Sequence, residues 1–121
     1  MRNQIYGLAI AIVAPLYADF AAAHAVLVSS NPANGAILSQ PPREIRLSFN
    51  EAIEARFSSV TLTRSDGKKV QTGGSSSDAQ KRSDLVASLP SLQPGKYQVR
   101  WQATSADSHR IQGSFGFEIS P

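Results

Sequence analysis

Along most of this chain apolar and polar residues alternate with a period of two, the pattern of half-buried strands. Arg43 to Asn50 places Ile45, Leu47 and Phe49 on one face and Glu44, Arg46 and Ser48 on the other. Ser59 to Arg64 alternates through Val60 and Leu62, and Asp66-Gly67 is a hairpin signal leading into Lys68 to Gln71. Lys96 to Ala103 carries Tyr97, Val99, Trp101 and Ala103 on one face, and the last strand repeats the period with Phe115, Phe117 and Ile119. His24 to Ser30 is apolar and β-branched, and Asn31 to Gly35 is a dense turn signal. Leu85 to Leu89 is a further short strand, closed by Pro90 and Pro94-Gly95, while Gly73 to Asp78 reads as a mobile loop. No stretch keeps helical spacing over ten residues, and Ala52 to Phe57 has room for one turn. About seven short strands at this spacing predict an all-β, immunoglobulin-like sandwich. Phe49, Trp101, Phe115 and Phe117 are expected in its core rather than on a ligand-stacking platform.

The first residues follow a different pattern. Arg2 precedes an apolar run from Ile5 to Ala18, then Asp19-Phe20-Ala21-Ala22-Ala23. A positive start, an apolar centre and a small-x-small ending read as a secretory signal peptide at 1–23, and the run is short for a bilayer span. Cleavage after Ala23 would leave an exported domain at 24–121 that begins with His24. Without a second apolar run, the mature chain is not expected to insert into a membrane. The absence of cysteine excludes zinc ribbons, dithiol redox chemistry and disulfide scaffolds. The net charge of +3 reads as a solubility feature, because the basic residues look scattered along the chain and an exported protein meets no nucleic acid.

Candidate chemistry is confined to very few residues. The chain has two histidines, His24 and His109, and Asp107 stands two positions before the second. A terminal His24 would offer its α-amine and imidazole to one metal ion. In an extended segment, Asp107 and His109 would point to one side. Three nitrogens and one carboxylate oxygen form a tetragonal set suited to one Cu(II) per chain. Either half alone is an ordinary surface feature; their joint presence makes metal binding the favoured reading.

The same residues carry a resemblance. His24-Ala-Val-Leu-Val-Ser-Ser-Asn-Pro-Ala-Asn-Gly35, Leu47-Ser-Phe-Asn-Glu51, Gly95-Lys-Tyr-Gln-Val-Arg-Trp101, Ser105-Ala-Asp-Ser-His109 and Gly113-Ser-Phe-Gly-Phe117 resemble the CopC family of periplasmic copper-binding proteins. The resemblance implies a Greek-key β-sandwich that binds Cu(II) through the terminal amine and imidazole of His24, with Asp107 and His109. Glu51 matches an acidic position near that site and is expected as a weak ligand, as a partner orienting His24, or as a plain surface residue. The resemblance also implies delivery to an inner-membrane copper transporter of the CopD type, in copper homeostasis, resistance or import.

The chain departs from the family at Ser108, where Gly is usual, and at Arg110, where Pro is frequent. Met1 is its one methionine and would leave with the signal peptide, so no thioether-based Cu(I) site is expected. Two rivals are a copper oxidase or monooxygenase built on an N-terminal histidine chelate, and a metal-free interaction module. The first wants an open coordination position that Asp107 would fill, so a non-enzymatic role is expected.

Overall fold

The computed structural model describes Gly7 and residues 25–121. The expected cleavage after Ala23 and His24 itself lie outside the described residues. From Ala25 on, the chain is almost entirely strand: β1 (Leu27–Asn31), β2 (Ile37–Leu38), β3 (Glu44–Phe49), β4 (Ser59–Arg64), β5 (Lys69–Val70), β6 (Ser75–Ser77), β7 (Asp84–Ser88), β8 (Gly95–Thr104) and β9 (Arg110–Ile119). The segment Ala52 to Phe57 does hold one turn, a 3-10 turn at Ala55–Phe57.

The strands form two facing sheets, ordered β1-β3-β7-β6 and β2-β9-β8-β4-β5. All pairs are antiparallel except β2 with β9. This is the expected immunoglobulin-like, Greek-key class, with nine strands among the described residues where the pattern suggested about seven. The additional ones are short. β6 falls inside the stretch read as a mobile loop, where Ser75 to Ser77 pair with Ala87 to Leu85. Three serines carry no apolar period, so their strand state comes from the neighbouring backbone and not from their own side chains.

The alternating residues meet between the sheets. Ile45, Leu47, Leu85, Ala87 and Val99 are fully buried, and Phe49, Trp101, Phe115 and Phe117 join them as expected. Phe49 packs edge-on against Trp101 with ring centroids 5.4 Å apart, a preferred aromatic geometry. Gly113 stands opposite Trp101 in the β8–β9 register, and a Cβ there would lie 2.6 Å from the indole ring. The glycine is what lets the large ring lie across the neighbouring strand.

One crossing segment ties the sheets together at the end of the sandwich that carries the β8–β9 connection. Beyond β3, the Asn50 N–H donates to the Val26 carbonyl at 3.1 Å, and the Val26 N–H donates to Asn50 Oδ1 at 2.7 Å. Two residues on, the Ala52 carbonyl accepts from the Ala106 N–H at 3.0 Å. Ile53 bridges to Ser105, and the Glu54 N–H donates to the Thr104 carbonyl at 2.8 Å. Residues 50–54 thus bond on one side to the start of the first sheet's edge strand and on the other to the β8–β9 connection.

Candidate metal centre

The β8–β9 hairpin is the longest pairing among the described residues, with partners from Gly95↔Ile119 to Thr104↔Arg110. Its connection, Ser105 to His109, is closed by a Ser105 N–H to His109 carbonyl bond of 2.9 Å and a Ser108 N–H to Ser105 carbonyl bond of 2.9 Å. Such closure requires one residue in the left-handed region, and Ser108 takes it with φ +71°. A glycine at this position would meet the same demand without a Cβ penalty.

Within this turn the Asp107 carboxylate is surrounded by donors. Ser105 Oγ bonds one carboxylate oxygen, Oδ1, and that oxygen also lies 3.3 Å from the His109 N–H. The other, Oδ2, lies 3.0 Å from His109 Nδ1. Ser105 is fully buried, and its Oγ is also 3.2 Å from the His109 carbonyl. These bonds favour the ionised carboxylate. The Ser105 hydroxyl first, then the His109 ring and the His109 N–H, lower the Asp107 carboxyl from 3.8 to about 2. Both side chains are about half exposed, Asp107 at 49% and His109 at 52%, so an ion can reach them from solvent.

Asp107 and His109 therefore come together as expected, but by a different route. They are not alternate residues of an extended strand; they close a tight turn in which an aspartate side chain reaches the backbone two residues ahead. The correction has a physical root: β8 ends at Thr104, and the chain must reverse before β9 begins at Arg110. Glu51 is half-buried in the crossing segment, one residue before the carbonyl that holds Ala106. Among the described residues no three His, Cys, Asp or Glu side chains gather as a metal cluster. The turn supplies two donors of the expected set, and His24 lies outside the described residues. The described chain enters at Ala25, next to the Val26–Asn50 bonds of that same crossing segment.

Ser105 takes part in this turn without a signal in the sequence that marks it. Its position two before an aspartate was visible, but serines in that relation are common, and only its complete burial separates this one from a surface hydroxyl.

Comparison with known proteins agrees with the architecture. The CopC domain family matches residues 27–120. Protein YobA of Escherichia coli (strain K12) is 32% identical over 119 residues, spanning 98% of this chain and 95% of its own. The copper transport protein CutJ of Bacillus subtilis (strain 168) is 30% identical over 98 residues, which cover 80% of this chain and 18% of CutJ. The crystal structure of CopC from Methylosinus trichosporium OB3b superposes with a TM-score of 0.76 at 30% identity, covering 81% of this chain and 95% of that one. Matched in sequence and in fold over most of its length, the chain belongs to the CopC family.

Proposed function

We propose that this protein binds Cu(II) in the periplasm and buffers or carries it, one ion per chain. The proposed ligands are the amine and imidazole of a mature N-terminal His24, the Asp107 carboxylate and the His109 imidazole, with Glu51 as a weak ligand or a partner of His24. Signal cleavage after Ala23 would create the amine and so complete the site. The observation that carries this reading is the Asp107–His109 pair, 3.0 Å apart on an exposed turn, with the carboxylate held ionised by Ser105. An imidazole beside an ionised carboxylate is a borderline-to-hard donor pair, which suits Cu(II) better than Cu(I). With Met1 the one methionine, the chain offers no set of soft thioether donors.

Both nitrogen ligand types bind metal only when unprotonated, so affinity should weaken as the pH falls toward about 6. The site is proposed as a carrier and not an oxidase, because the Asp107 carboxylate would take up the position that oxygen chemistry needs open. Peroxide formation by the copper-loaded protein with ascorbate would contradict that. The similarity to 18% of CutJ, a longer chain named as a copper transport protein, supports a partnership with an inner-membrane copper transporter of the CopD type.

A Cu(II) competition titration of the wild-type protein and His109→Ala tests the site. The expected result is one-to-one binding that weakens by about 100-fold or more in the variant. Unchanged affinity in His109→Ala would remove the turn from the site.

A further inference from the structure

Four cations that look unrelated along the chain share one surface. Lys96 and Arg100 lie on outward positions of β8, and the register sets Lys69 beside Thr63, which in turn faces Gln98. Arg110 opens β9, with its guanidinium Nε 3.1 Å from the Gln102 carboxamide. All four are exposed. Lys69 and Arg100 line the same shallow hollow, floored by Thr61, Thr63 and Gln98. Opposite Lys96 stands the strand's one carboxylate, Glu118. The other sheet is different in kind: Asp78 and Asp84 converge on Arg46 at 3.0 and 2.9 Å, with Glu44 beside them at 3.4 Å. The positive charge remains distributed over the molecule, with Arg43 and Arg82 exposed elsewhere, but the β pairing brings these four cations to one side.

We propose that the outer face of the five-stranded sheet docks the protein peripherally on an anionic phospholipid bilayer. The face is broad, its outward residues Gln98, Gln112 and Ser114 are polar, and its cations are spread out. That arrangement complements a plane of phosphate headgroups. A protein partner would call for a cluster of large apolar anchors seated in pockets; the outward positions of β8 carry none, and exposed Ile37 stands apart from Lys69 and Arg100 at the β2 edge of the sheet. Binding of this kind needs no inserted side chain and is screened by salt. Arg110 directly follows His109, so docking on this face would also hold the Asp107–His109 turn beside the membrane.

The test uses metal-free protein recovered in soluble form from a bacterial periplasm, so it stands apart from the copper site. Sedimentation is measured with vesicles of phosphatidylglycerol in phosphatidylethanolamine and with vesicles of phosphatidylcholine alone. Expected is binding to the first and not to the second, reversed by added salt. Lys69→Gln/Arg100→Gln should lower the partition about 25-fold, at about fivefold per charge. Arg43→Gln/Arg82→Gln removes the same charge from exposed positions off this face and should cost far less. Equal losses in the two double variants would reduce the effect to net charge and overturn the proposal. So would failure of the wild-type protein to bind the anionic vesicles, whether or not it is retained by an acidic protein or by nucleic acid.

Discussion

Asp107 is exposed, yet three hydrogen bonds to its carboxylate hold it ionised, and the one from Ser105 contributes most. A carboxyl lowered from 3.8 to about 2 adds stability that is fully present above 3.8 and lost as the pH falls toward 2. Ser105→Ala should therefore move the Asp107 midpoint in the metal-free protein up toward 3.8, read by carboxyl NMR titration; a midpoint that stays near 2 would show that the serine is not the cause. Ser108 offers a second test at this scale. Its φ of +71° is unfavourable for any residue with a Cβ, so Ser108→Gly should stabilise the fold by about 1 kcal/mol. A lowered melting temperature would contradict that reading. The pairing of Asp107 with His109 was legible from their spacing. The turn that pairs them was not, because its left-handed residue is a serine, and a serine does not announce a positive φ as glycine does.

Among the elements, the β8–β9 hairpin fixes where the Asp107–His109 turn falls, since its long register sets where the chain reverses. Gly113 and Trp101 lie across it, and Gly113→Ala would drive a methyl into the indole. The expected loss is about 2 kcal/mol in chemical denaturation, from a core with no slack for an added methyl. An unchanged midpoint would mean that the ring can shift at little cost. Strands β3, β4, β8 and β9 could be read directly from the period-two burial of residues such as Ile45, Leu62, Val99 and Phe117. β2 and β6 could not. Two or three residues are too few to display a period, and they are strands because longer neighbours offer them hydrogen bonds.

At the scale of the whole molecule, the crossing segment 50–54 decides what can act together. It bonds to Val26 near the start of the described chain and to Thr104 and Ala106 flanking Ser105, so opposite ends of the sequence meet at one end of the sandwich. The basic face is likewise a property of assembly: Lys69 and Arg100 lie on strands that are not neighbours in the chain, and a sequence does not carry their register. The most direct measurement of the proposed chemistry compares Cu(II) competition titrations of two proteins, one beginning at His24 and one with a single alanine placed before it. The added residue leaves every side chain in place but separates the terminal amine from the His24 imidazole. The expected result is tight one-to-one binding in the first and a loss of several orders of magnitude in the second. Equal affinity in both would contradict the terminal-histidine site and leave Asp107 and His109 to bind the ion without it.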